Sequence, residues 1–152
     1  MSSFFKRTRF KALMNYWLIK TEPEEWSWEE QEQCNEKGSV WDGVKNFQAR
    51  NNLKMMKIND LCFFYHTGKE KKIVGIAIVT KEYFADKNDK TGNFGSIMVR
   101  SYKKFKLPVS LKDIKKHGLL MHLALVKQSR LSVMNIDSKS WKIICKMGKI
   151  NL

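Results

Sequence analysis

Long apolar runs are missing from this 152-residue chain. The longest, Ile73–Val79, is largely β-branched and contains Gly75, far short of the ~20 residues a membrane-spanning helix needs. Two prolines and eight glycines exclude collagen-like and low-complexity architectures. Cysteine is scarce too: Cys34, Cys62 and Cys145 are odd in number, widely spaced and form no C-x-x-C. A disulfide framework is therefore not expected, and a reducing, cytoplasmic setting is. The three histidines, His66, His117 and His122, do not fall into a zinc-like spacing with these cysteines, so no metal is expected. Catalytic signatures are absent as well. The chain has no G-x-S-x-G, no P-loop, no H-E-x-x-H and no paired Gly-rich dinucleotide turn, and no cofactor is implied.

What is present is core-forming. The chain is 43% hydrophobic and 12% aromatic, enough to exclude disorder as its main state and to build one domain. Its net charge of +14 is unevenly spread. Residues 1–14 carry four basic and no acidic side chains, residues 15–66 six against nine, and residues 67–152 nineteen against six. A basic C-terminal half suits a polyanionic partner. However, 24 of the 29 basic residues are Lys, whereas phosphate clamps lean on Arg. AT-rich coding also produces such a bias, so charge alone leaves both origins open. Residues 1–14 read as a basic extension without a signal-peptide h-region. Met14 is a second candidate start, and residues 15–150 read as the single domain.

Periodicity and capping signals outline α+β. Strands are expected at Tyr16–Lys20, Asp60–His66, Ile73–Phe84 and Gly95–Phe105, and an extended segment at Gln128–Met134. The S-x-x-E of Ser27–Glu30 predicts a helix from Trp28 to about Asn35. Further helices are expected over Val44–Met56, after Pro108 with Ser110 as cap, around Leu119–Leu125, and over Ser138–Met147 behind Asp137. The simplest closure is a small, partly open barrel with short helices around it.

The carboxylates between Glu22 and Glu32 precede and fill a short helix, where acids favour the helix dipole. Cys62 and His66 lie four apart in a strand, about 13 Å along it, too far for a nucleophile–base pair. His66 reads either as a ligand contact at a strand end or as a satisfied core histidine. Four of the five tryptophans, Trp17, Trp26, Trp28 and Trp41, fall in the first third of the chain, and most positions of this kind are core. Trp41 differs, because Asp42, Gly43 and Asn46 follow it on what reads as a loop entering a helix. An aromatic face beside polar edges is what a pocket for a flat, hydrogen-bonding ring requires. Pocket and core readings stand level there.

Five blocks in order resemble the EVE domain family and cover about Tyr16 to Gly148. They are Trp17-Leu18-Ile19-Lys20-Thr21-Glu22-Pro23 with Trp26-Ser27; Val40 to Asn51; Phe63-Phe64-Tyr65-His66-Thr67; Val74-Gly75-Ile76; and Gln128-Ser129-Arg130-Leu131-Ser132-Val133. The resemblance implies a PUA-like pseudobarrel related to YTH and ASCH domains. It also implies a non-enzymatic, monomeric domain that recognises a modified base in DNA or RNA, modified cytosine in DNA foremost. Carried over block by block, Trp41 would be the pocket aromatic, with Asp42 and Asn46 at the rim and Lys20 and Thr21 on the floor. Tyr65 and His66 would form the opposite wall, and Ser129 and Arg130 would contact the nucleotide backbone. Two other functions compete: a small-molecule or nucleotide sensor, and an enzyme acting on modified nucleosides with His66 or Asp42 as general base.

Overall fold

The structure is a computed structural model and describes residues 14–151. Residues 1–13 of the basic extension, and Leu152, lie outside the described residues. Six strands, β1 (Tyr16–Thr21), β2 (Ser39–Trp41), β3 (Leu61–His66), β4 (Lys72–Ala85), β5 (Gly95–Ser110) and β6 (Val133–Ile136), form one sheet in the order β2-β5-β4-β3-β1-β6. All neighbours are antiparallel except β1 and β3. Five α-helices accompany them: α1 (Trp28–Gln33), α2 (Phe47–Met55), α3 (Leu111–Lys115), α4 (Ala124–Lys127) and α5 (Ser138–Met147). The α+β expectation holds, with one correction: the sheet is not a closed barrel. Its edges are the three-residue β2, paired only with β5, and the four-residue β6, paired only with β1.

Local signals explain the helices. Ser27 accepts from the Glu30 N–H while the Glu30 carboxylate accepts from the Ser27 N–H, the reciprocal cap expected of S-x-x-E. α2 begins at Phe47 rather than Val44 because Asn46 caps it, its side chain accepting from the Ala49 N–H at 2.9 Å. Asp137 caps α5 through the Ser140 N–H at 3.1 Å. β5 runs through Pro108 to Ser110, past the expected end at Phe105. Its register against β4 breaks between Gly75 and Ile73, and Pro108 sits in that irregular stretch, where no ladder hydrogen bond is demanded of it.

β3 is buried along its whole length, so apolar layers cover both faces, which explains its unbroken run Leu61 to Tyr65. On one face Phe63 stacks on Trp141 of α5 (centroids 3.8 Å apart, 16°). On the other, Phe64 meets Trp28 and Trp41 edge to face at 5.1 and 5.4 Å. Trp28 lies so close over Gly75 that a Cβ there would come within 2.6 Å of its ring, which is why the strand carries glycine at this point. The buried Asp60 carboxylate takes the Trp17 indole N–H at 2.9 Å and the Lys57 N–H at 3.0 Å, satisfying the entry to β3. Cys62 and Cys145 are buried, free thiols, and burial pushes the Cys62 thiol up, with Asp60 adding to it. Among the described residues no helix is long and apolar enough to cross a membrane.

Candidate functional site: a polar-aromatic cleft at the strand ends

Because β1 and β3 run parallel, their C-terminal ends lie side by side, with Thr21 opposite His66. β6 runs antiparallel to β1, so the loop before it reaches the same end. The Lys20 N–H donates to the Ser132 carbonyl at 2.9 Å, and the Thr67 N–H donates to the Thr21 carbonyl at 2.9 Å. Between these ends lies a cleft of about 750 Å³. Lys20 and Thr21 of β1 line it with the turn residues Glu22, Glu25 and Trp26. Residues 39–45 form a second wall, and Thr67, Ser129, Arg130 and Ser132 complete it.

Its walls are held by hydrogen bonds of a buried amide. The Gln31 Oε1 accepts from the Trp26 indole N–H at 2.8 Å and from the Ser39 hydroxyl at 2.9 Å, while its Nε2 donates to the Val99 carbonyl at 3.3 Å. Fully buried and bonded through both its oxygen and its nitrogen, Gln31 ties α1 to β2 and β5 and sets Trp26 in the cleft wall. Gly38, at φ 69°, turns the chain into β2 where a side chain would strike the Val99 carbonyl. Trp41 at the end of β2 is 6% exposed, with Phe64 beneath it. It is both core and cleft wall, so both readings of this residue describe one indole. Thr21 donates to the Trp26 carbonyl at 2.9 Å, closing the turn between them.

Lys20 spans the cleft's base. Its Nζ donates to the Ser129 carbonyl at 3.0 Å and sits 5.6 Å over the Tyr65 ring. Burial lowers its pKa. Asp42, Ser129 and Arg130 reach the cleft from exposed positions.

Three expected residues lie outside this lining. Tyr65 is buried beneath Lys20, and burial pushes its hydroxyl up to about 12. His66 is 4% exposed, and both its nitrogens are engaged. Its Nε2 faces the Trp28 N–H at 3.1 Å and its Nδ1 lies 3.0 Å from Glu70 Oε1. Accepting from an amide leaves the proton on Nδ1, so His66 joins α1 to the end of β3 and offers no nitrogen to a ligand. The His66 hydrogen bond foremost holds the Glu70 carboxyl below its usual range. Asn46 is spent as the α2 cap. It borders a neighbouring hollow of about 300 Å³ shared with Lys127, Ser129 and Arg130.

Sequence reasoning missed Trp26 and Gln31 as parts of the site. The capping box held the clue, because it places Trp26 immediately before the cap and Gln31 one turn on, facing the sheet. The cleft offers two indoles, Trp26 and Trp41, several hydroxyls, the carboxylates of Glu22, Glu25 and Asp42, and the cations Lys20, Lys45 and Arg130. Among the described residues no group of His, Cys, Asp or Glu could hold a metal ion.

A mixed six-stranded sheet, short helices on both faces and a cleft across its parallel strand ends define a small α+β domain of PUA-like fold. The YTH domain of Zygosaccharomyces rouxii MRB1 shares this fold at 16% identity, with a TM-score of 0.55 over 92% of this chain and 87% of that one. More specifically, the chain belongs to the EVE domain family, whose sequence model matches residues 15–147. It is 32% identical to thymocyte nuclear protein 1 of Rattus norvegicus, over 96% of this chain and 80% of that protein. Among solved structures, protein Atu2648 of Agrobacterium tumefaciens is similar at 40% identity and TM-score 0.86, covering 90% and 94% of the two chains. The human THYN1 protein in complex with DNA containing 5-methylcytosine is similar at 25% identity and TM-score 0.79, covering 91% and 99%.

Proposed function

We propose that this chain is a non-enzymatic reader of nucleic acid carrying a modified base, with modified cytosine in DNA as the favoured target. Trp41 carries the reading: an indole held by Phe64 at the wall of a cleft that also presents the Trp26 ring, hydroxyls, the carboxylates of Glu22, Glu25 and Asp42, and the cations Lys20, Lys45 and Arg130. A base turned out of its stack gains stacking on such a wall, and its edge meets Asp42 and Thr21. Arg130 and the Ser129 hydroxyl take the backbone, and the basic second half supplies the long-range attraction. The human relative bound to 5-methylcytosine DNA supports this choice of partner. The proposed reader acts as a monomer.

Fluorescence anisotropy with matched oligonucleotides, with and without 5-methylcytosine, across a salt series tests the reading. A modification preference that survives high salt supports it. Equal, steeply salt-dependent binding to all of them refutes it. One observation favours a second reading, a small-molecule sensor: the cleft volume of about 750 Å³ falls in the range of small-molecule sites. Binding insensitive to ionic strength would favour that alternative.

A further inference from the structure

Beside the cleft lies an aromatic surface that the base pocket does not use. Phe47, the first residue of α2, is 54% exposed, although a phenyl ring gains by burial. Its ring lies 5.1 Å from that of Phe94, tilted by 35°. The Arg50 guanidinium sits 4.9 Å from the Phe47 centroid and the Lys45 Nζ 5.6 Å from that of Phe94. The pair is held in place. Arg50 Nη1 donates to the Asn93 carbonyl at 3.0 Å, and the Phe94 N–H donates to Asp89 Oδ2 at 2.8 Å. Lys45 belongs to both surfaces, since it also lines the cleft.

We infer that Phe47 and Phe94, flanked by Lys45 and Arg50, form a second subsite that stacks the base next to the one held in the cleft. This rests on the proposed nucleic-acid reading and extends it by one nucleotide. Two aromatic rings, each with a cation over one side, match a base and its phosphate. They begin where the cleft ends, at Lys45. Asp89 beside the patch spends its carboxylate on the Thr91 hydroxyl and the Phe94 N–H and also faces Lys45, leaving two cations, Lys45 and Arg50, against one carboxylate already engaged.

The test compares wild type, Phe47→Ala and Phe47→Tyr on a 5-methylcytosine oligonucleotide, the unmodified oligonucleotide, and versions with an abasic site on either side of the modified base. Phe47→Ala is expected to weaken binding about tenfold, the scale of one lost base–aromatic stack, while Phe47→Tyr binds as wild type. One of the two abasic versions should weaken wild type similarly and weaken Phe47→Ala no further. Binding by Phe47→Ala within about twofold of wild type, or a full additional loss on both abasic versions, overturns the subsite. The wild-type preference for 5-methylcytosine reads the base pocket separately. Preference kept without a Phe47 effect refutes the subsite alone, and a Phe47 effect without preference supports the subsite while refuting the pocket. Wild type that binds none of these oligonucleotides refutes both.

Discussion

The ammonium of Lys20 donates to the backbone carbonyl of Ser129 at 3.0 Å, joining residues 109 positions apart in sequence. That bond fastens the loop before β6, with Arg130 and Ser132, against the end of β1. The loop makes one wall of the cleft, so its position depends on a partly buried charge whose protonation burial disfavours.

Lys20→Met should therefore free the wall while leaving the sheet intact. A hydrogen bond from a charged donor is worth about 1.5–3 kcal/mol, and the loss should appear locally. Amide exchange over residues 128–132 is expected to accelerate, and oligonucleotide binding to fall roughly tenfold or more. Exchange unchanged in that loop would contradict the account of the wall.

Arg130 is assigned to the nucleotide backbone, so its removal should not discriminate between bases. Arg130→Gln is expected to weaken modified and unmodified oligonucleotides alike. It should also reduce the slope of log K against log salt by about 0.9, the contribution of one phosphate contact on duplex DNA. A change confined to the modified oligonucleotide would move Arg130 into base recognition.

The cap of α5 gives a pH-dependent prediction. Partial burial opposes ionisation of Asp137, but hydrogen bonds from His122 and Ser140 outweigh it and hold the carboxyl at about 2. An unfolded Asp titrates near ~3.9. The cap's ionic stabilisation is thus complete above about pH 4 and is lost as pH falls through about 2. The Asp137 side chain is 46% exposed, and solvent screening reduces the effect to about 1 kcal/mol. Urea unfolding at pH 5 and pH 2.5 should show wild type losing part of its advantage over Asp137→Asn, which keeps the cap without the charge. An advantage that does not change with pH would refute the assignment.

Much of the scaffold was legible because its signals are local. Ser27 with Glu30, Asp137 before α5 and the dense Leu61–Tyr65 run each announce an element through neighbours in sequence. β2 was not legible: three residues with Val40 exposed and Trp41 buried show no periodicity, and only pairing with Ile97 and Val99 of β5 makes them a strand. Trp41 was therefore expected on a loop. The two readings of His66, ligand contact or satisfied histidine, cannot be separated in sequence for a related reason. Its two partners, the Trp28 N–H and Glu70, converge only once α1 lies over the sheet. Tyr65 follows from the alternation of β3, whose two faces are both covered, so that a strand-end tyrosine lies under Lys20 rather than in the cleft. Lys20, Thr21, Trp41, Asp42, Ser129 and Arg130 do meet at one cleft: the first two stand at the end of β1, Ser129 and Arg130 in the loop tied to Lys20, and Trp41 and Asp42 at the end of β2.

Binding of 5-methylcytosine and cytosine oligonucleotides to wild type and Trp41→Leu, at low and high salt, tests the central claim most directly. Leucine keeps an apolar contact with Phe64 and removes the stacking face, and a circular dichroism spectrum confirms that the variant is folded. The account predicts a wild-type preference that persists at high salt and disappears in the variant through a roughly tenfold loss on the modified oligonucleotide alone. A variant that discriminates as wild type does, or a wild type that does not discriminate, would contradict it.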